Sequence, residues 1–276
     1  MALKRIALKR IPLRVLTKPS LIEFGNKCFE PQRPAIVRDH LSAAEWPALA
    51  TWVDVGTFRT NLLARCGSTA LEELVPIEKG SSYSSADFER GHLPLGLFLS
   101  FLEQFETAAA ATGSSNGDDG SSLPPPLYLA QHDLLDQLPQ LALDVPCAPI
   151  WCDRFGQGDL YGRKAWLGPA GTVSTLHRDP YHNALTQLGG HKLVRLFAPK
   201  YGAALYAGAA GHQRNTCAVD AGNLDGVDRS AFPRFAAVES MIEGELLPGD
   251  ALFIPKGWWH YVESLSTSFS INHWWL

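Results

Sequence analysis

The chain lacks any run approaching the roughly 20 consecutive apolar residues a helix needs to cross a bilayer, so no membrane partner is expected. It also lacks a basic excess. Lys and Arg number 24 against 28 Asp and Glu, a formal net charge of −4, which is the opposite of a general nucleic-acid binder's footprint. No direct nucleic-acid partner is expected either. Its five cysteines, Cys28, Cys66, Cys147, Cys152 and Cys217, are odd in number and form no CxxC pair, which points away from a zinc site or a full disulfide framework. Reduced, mostly buried thiols in an intracellular protein are expected instead. No repeat with a period of roughly 20–50 residues is visible, which excludes solenoids and propellers. Acidic residues are missing before Glu23, while Lys4, Arg5, Lys9 and Arg10 crowd the start. Such a start is one feature of a transit peptide. The absence of serine before Ser20 and the interruption at Pro12 weigh against that. The expectation is residence in the nucleus or cytoplasm, organelle import being the lesser alternative, with the basic start forming an edge strand or arm.

With 276 residues, 46% of them hydrophobic, the chain can bury one substantial core. Residues 1–160 read as a helical and stranded region. Ser20 caps a short helix over Leu21, Ile22, Phe24 and Phe29, and residues 34–37 and 74–78 are short strands. Two short helices over 42–66 are broken at Pro47 and near Asp54, with Trp46, Trp52, Phe58 and Leu62 inward. An amphipathic helix is expected over 94–108, from apolar residues at i, i+3, i+4 and i+7, and a polar Gly/Ser/Asp/Pro loop over 112–126. A strand over 127–130, a helix over 133–138 and a Pro-bounded turn over 146–149 complete it. Residues 161–276 change character. Short apolar segments alternate with turns, the pattern of a β-sandwich or barrel such as the double-sheet jelly roll of cupins. Residues 201–237 interrupt this rhythm as an irregular insertion. The two regions are expected to form one structural unit, mainly β with a helical N-terminal elaboration.

Within the β-rich half, His177 and Asp179 stand two residues apart, and side chains at i and i+2 of a strand share a face. About eighty residues later, Pro255-Lys256-Gly257 turns the chain to present His260. Two histidines and one carboxylate leave half an octahedron open, as non-haem Fe(II) oxygenases require. The alternative is a pair of unrelated hydrogen-bonded histidines near the core. Fifteen residues after His177, Lys192 opens an apolar strand. It reads equally as a strand-end lysine in water or as a buried cation for the far carboxylate of 2-oxoglutarate.

These residues, with the segments 166–183, 247–255, 259–262 and 268–275, resemble the jumonji-C family of Fe(II)- and 2-oxoglutarate-dependent oxygenases, and among them a subgroup of protein-arginine hydroxylases. The likeness begins near Pro19 and covers most of the chain. It implies a double-stranded β-helix in which His177, Asp179 and His260 bind iron. It implies that Lys192 grips 2-oxoglutarate with help from Tyr128, Ser174 and Asn183, with Trp274 nearby. Trp166 would line the pocket, and Glu78 and Tyr83 would receive a substrate arginine. A carboxylate suits a guanidinium through parallel hydrogen bonds; read from the residues alone, Glu78 is equally an exposed strand-end carboxylate. The implied reaction uses O2 and 2-oxoglutarate to hydroxylate a carbon of a protein or peptide, releasing succinate and CO2. Two other functions are compatible with these residues: an N-methyl-lysine demethylase of the same oxygenase class, which the lack of a Cys/His-rich zinc finger disfavours, and a cupin-type binding or scaffold protein with a vestigial metal site. A monomer or weak dimer is expected, the aromatic C-terminus 273–276 packing in the core.

Overall fold

The computed structural model describes residues 8–80, 88–112, 123–157, 160–209 and 214–276. Among these, strands numbered in chain order form two sheets. The smaller runs β1 (Lys9–Pro12), β11 (Ser240–Leu246), β10 (Lys192–Phe197), β13 (Trp259–Ser264) and β8 (Val173–Arg178). The larger runs β2 (Val15–Thr17), β3 (Ala35–Arg38), β12 (Ala251–Ile254), β9 (His182–Gly189), β14 (Ser268–Trp275), β7 (Leu160–Gly168), β6 (Leu127–His132), β4 (Leu74–Lys79) and β5 (Glu89–Pro94). From β7 to β10 the chain alternates between sheets at every step. It doubles back through the antiparallel pair β10–β11 and alternates again to β14. That is a double-stranded β-helix, the jelly-roll architecture expected from the rhythm of short apolar segments. An apolar layer containing Leu185, Val194, Leu196, Leu252 and Ile254 fills part of the space between the sheets.

The N-terminal region extends the larger sheet at both ends. β6 pairs with β7, and β3 with β12, so strands from both halves of the sequence share one sheet. Helix α1 (Leu21–Phe24) is capped by the Ser20 hydroxyl, which accepts from the Glu23 amide. Helix α2 (Ala48–Thr51) and helix α3 (Val55–Cys66) are divided near Asp54, whose side chain caps α3. Side-chain capping satisfies amide groups that the first helical turn leaves without partners. With α4 (Leu95–Thr112), α2 and α3 bury Trp46, Trp52, Phe58, Leu62, Phe98 and Leu102 in one cluster with Leu167, Phe269 and Ile271 of the larger sheet. Short helices α5 (Leu134–Gln137) and α6 (Ile150–Arg154) follow β6. Trp275 is fully buried in a third cluster with Phe24, Trp151 and Phe253, so the aromatic C-terminus is core. No helix among the described residues is long and apolar enough to cross a membrane.

The structure departs from the sequence expectations in several places. Of the basic start, Lys9 and Arg10 lie in an edge strand, β1, parallel to β11, and residues 1–7 lie outside the described residues. β7 begins at Leu160, one residue ahead of the expected β-rich region. Helix α4 takes in Thr112, and residues 113–122 of the expected loop lie outside the described residues. The 201–237 insertion has few regular elements, yet it is packed. Leu205, Cys217, Val219, Leu224 and Phe235 bury against Leu176, Phe197 and Trp259 of the smaller sheet. Its apolar residues lack the period of two or 3.6 that makes packing legible in a sequence.

Candidate metal and co-substrate site

His177 lies near the end of β8 and His260 near the start of β13, and the two are direct cross-strand partners. Such partners place their side chains side by side on one sheet face, and the imidazole centroids stand 4.1 Å apart. Asp179 is one residue beyond the end of β8 rather than on it. Its backbone carbonyl accepts from the Gly257 amide at 3.1 Å. Gly257 has φ 81°, in a turn closed by Trp258 N–H donating to the Pro255 carbonyl. Glycine takes this left-handed conformation without the penalty a Cβ brings. One turn thus shapes the entry to β13 and pins the segment bearing the carboxylate.

Candidate ligand atoms of His177, Asp179 and His260 all lie within 4.8 Å of one another. Each imidazole is oriented by its second nitrogen. His177 Nδ1 is 2.7 Å from the Thr175 carbonyl and His260 Nδ1 is 3.1 Å from the Trp258 carbonyl. A carbonyl only accepts, so both Nδ1 atoms carry the proton and both Nε2 atoms keep a lone pair, the form a metal requires. The Nε2 atoms lie 3.9 Å and 3.6 Å from the oxygens of Asp179. Burial, reinforced by the neighbouring His177, lowers the His260 pKa to about 4, keeping it neutral. Asp179 Oδ2 accepts from Trp274 Nε1 at 2.9 Å and from Asn183 Nδ2 at 3.2 Å, and Oδ1 is turned toward His177.

The hydrogen bonds continue behind the carboxylate. Asn272 Nδ2 donates to Asn183 Oδ1 at 3.4 Å, and Trp166 Nε1 donates to Asn272 Oδ1 at 2.8 Å. Asn272 escaped the sequence reading. Its signal was the alternation Ser270, Asn272, Trp274 along β14, which puts three polar-tipped residues on one face. Asn183 and Trp274, expected from the resemblance as co-substrate contacts, line the cavity and also donate to the Asp179 carboxylate.

A cavity opens between the sheets, lined by the three candidate ligand residues together with Tyr128, Trp166, Ser174, Asn183, Lys192 and Trp274. Lys192 and His260 face it from opposite ends of the β10–β13 ladder. His260 pairs with Leu196, four residues from Lys192 and about 13 Å along the strand. Of the two readings of Lys192, the structure selects burial: the side chain is 2% exposed. Among the described residues no carboxylate pairs with it. Its ammonium is 3.4 Å from the Tyr128 hydroxyl, which also hydrogen-bonds Ser174. Burial lowers the lysine pKa to about 7 and pushes the Tyr128 phenol up. An ammonium withdrawn from water without a counter-charge is costly. An anion entering the cavity would remove that cost. A dianion with a metal-chelating end and a far carboxylate therefore fits this cavity.

Glu78 is a half-buried residue of β4 and does not line the cavity. It is the cross-strand partner of Tyr128, one strand farther out. Its carboxylate accepts from Arg90 of β5 at 3.0 Å. Tyr83 lies outside the described residues.

The jelly roll and the His177–Asp179–His260 cluster agree with what the family match shows: the chain belongs to the cupin-like, jumonji-C family, residues 21–276 matching the family described as the cupin-like domain. Among curated proteins it is similar to Jumonji C domain-containing protein 5 of Drosophila melanogaster, at 38% identity over 265 residues, covering 94% of this chain and 59% of the relative. It is 36% identical over 281 residues to Lysine-specific demethylase JMJ30 of Arabidopsis thaliana, covering 99% and 58%. To Lysine-specific demethylase 8 of Xenopus tropicalis it is 34% identical over 259 residues, covering 93% and 51%. The chain thus spans between half and three-fifths of the length of these relatives.

Proposed function

We propose that this chain is an Fe(II)- and 2-oxoglutarate-dependent protein hydroxylase acting, in the nucleus or cytoplasm, on an arginine side chain. The observation that carries the oxygenase reading is Lys192, a buried ammonium without a carboxylate, facing a His177–Asp179–His260 cluster whose lone pairs converge. In this reading His177, Asp179 and His260 hold the metal. Lys192, with the Tyr128 and Ser174 hydroxyls, holds the far carboxylate of 2-oxoglutarate. When bound, iron, 2-oxoglutarate and O2 together supply oxidative C–H hydroxylation with release of succinate and CO2. The chain's own part is positional. The Thr175 and Trp258 carbonyls fix the imidazole tautomers. Trp274 and Asn183 fix the rotation of the Asp179 carboxylate, and the sheets exclude bulk water from Lys192. This arrangement disfavours a scaffold with a vestigial site, which would have no use for an unpaired buried cation.

The arginine reading rests on Glu78 and on the likeness to protein-arginine hydroxylases. Glu78 already holds a guanidinium, that of Arg90, whose side chain is 72% exposed. A substrate arginine would take the place of Arg90 in an exchange of like for like. Removing Arg90 should therefore lower the KM for an arginine peptide several-fold with kcat unchanged, and Glu78→Ala should raise it. A second reading, demethylation of N-methyl-lysine, is favoured by the names of the Arabidopsis and Xenopus relatives. The test that separates them is incubation with iron, 2-oxoglutarate and matched peptides. A mass gain of about 16 Da on arginine, one oxygen atom from this class of iron site, supports the first. Formaldehyde released from methyl-lysine peptides, with arginine unmodified, replaces it with the second.

A further inference from the structure

His182 is a buried histidine at the start of β9, just after Asp179 in the chain. It is not among the residues lining the cavity, whereas its neighbour Asn183 is. Strand side chains alternate, so the His182 ring lies on the opposite face of the larger sheet. There it packs with ring centroids 5.0 Å from Phe29, 5.3 Å from Trp275 and 5.9 Å from Phe253. The ladder of β9 with β12 runs as far as Asn183 and Ile254. One step farther in that register stand His182 and Pro255, and a proline has no amide with which to extend a ladder. The imidazole takes the amide that follows: His182 Nδ1 accepts from Lys256 N–H at 3.1 Å. An accepting Nδ1 puts the proton on Nε2, the tautomer opposite to that of His177 and His260. Burial, with the Lys256 charge adding to it, lowers the His182 pKa to about 4, so the accepting lone pair is present at neutral pH.

The next amide along, that of Gly257, donates to the Asp179 carbonyl. Two consecutive amides of the turn before His260 are therefore held from the two ends of the segment 179–182. The same turn ends at Trp258, whose carbonyl meets His260 Nδ1. We propose that His182 is a positioning residue for the metal site: through the Lys256 amide it fixes the turn that sets His260 against Asp179. It touches neither metal nor co-substrate. Without its lone pair the Gly257 bond alone ties this turn to the Asp179 segment, and a single bond leaves the turn free to pivot about it. The role rests on His177, Asp179 and His260 being the metal ligands, and is independent of which substrate residue is modified.

A ring that only fills space would give a different pattern of substitution effects. Phenylalanine keeps the ring and loses the acceptor. Asparagine loses the ring and keeps an acceptor, since its side-chain oxygen can stand where Nδ1 stood. The test is calorimetric titration of the metal-stripped chain with Mn(II), together with amide hydrogen exchange over residues 255–260 of the metal-free chain. His182→Phe is expected to weaken Mn(II) binding roughly three- to tenfold, at or below the low end of the loss when an outer hydrogen-bond partner is removed, and to speed exchange at Lys256 and Gly257. His182→Asn is expected to keep near wild-type Mn(II) affinity and protection of those amides, although it lowers the thermal midpoint more by leaving a cavity beside Phe29 and Trp275. Wild-type affinity and exchange in His182→Phe, or a loss in His182→Asn as large as that in His182→Phe, overturns the role of His182 and leaves the ligand assignment standing. Failure of the wild type itself to take up Mn(II) overturns the ligand assignment, and this role with it.

Discussion

His260 and His273 are both buried histidines on C-terminal strands of the jelly roll, and they differ in what their nitrogens meet. Burial keeps both neutral, lowering the pKa to about 4 for His260 and about 3 for His273. His260 donates Nδ1 to a backbone carbonyl and turns Nε2 toward Asp179. Among the described residues His273 has no hydrogen-bond partner at either nitrogen, and it rests its ring 5.6 Å from that of Trp46. A depressed pKa therefore says only that a histidine is dry. The hydrogen bond on the far nitrogen separates a ring set to offer a lone pair from a ring that merely fills space. One step along β14, Asn272 faces the cavity and His273 faces the helices, because strand side chains alternate.

That contrast can be broken by substitution. The largest expected effect is at the ligands: Asp179→Ala or His260→Ala abolishes succinate release, and His273→Leu leaves it near the wild-type rate. Next is Lys192→Ala, which leaves the far carboxylate of 2-oxoglutarate buried and unpaired. Such a loss is about 3 kcal/mol, so the 2-oxoglutarate requirement should rise roughly a hundredfold. Because the free ammonium has a pKa near 7, 2-oxoglutarate affinity in the wild type should fall as pH rises above about 7 and the charge is lost; calorimetry across that range should show no such fall in Lys192→Ala.

Smaller is Asn272→Leu, which cuts the chain from Trp166 to Asp179. Loss of an outer hydrogen bond of this kind lowers metal affinity about tenfold, measurable by competition with a chelator. Smallest is the effect of His273→Leu on stability. Replacing an unpartnered buried polar ring by an apolar side chain is neutral or stabilising by about 1 kcal/mol. The sign with pH follows from the depressed pKa. The unfolded histidine takes a proton near 6.5 and the folded one only near 3. This contribution to stability is thus complete above about 6.5 and is lost as pH falls toward 3. Urea titrations should show a shallower acid decline for the variant than for the wild type.

Much of this was legible in the sequence. The rhythm of short apolar segments and turns after residue 160 pointed to the jelly roll, and His177, Asp179 and His260 were readable because a short strand, a Pro-Gly turn and a metal's ligand geometry each restrict spacing. Lys192 was ambiguous for a physical reason. A lysine that begins an apolar strand is equally able to face water or the interior, and only the second sheet decides. Asn272 was hidden because its partners, Trp166 and Asn183, are distant in sequence and meet only when β7, β9 and β14 pair. The packed insertion was hidden because irregular chain has no period. Glu78 was placed near the site by resemblance, but its pairing with Arg90 depends on the register of β4 with β5, which no local pattern specifies.

The central claim is that three residues, and no other histidine, hold one metal ion. Anaerobic calorimetric titration of the metal-stripped chain with Mn(II) tests it most directly. One equivalent should bind to the wild type and to His273→Leu, and none at comparable affinity to Asp179→Ala. Stoichiometric binding retained by Asp179→Ala, or lost in His273→Leu, would contradict the assignment.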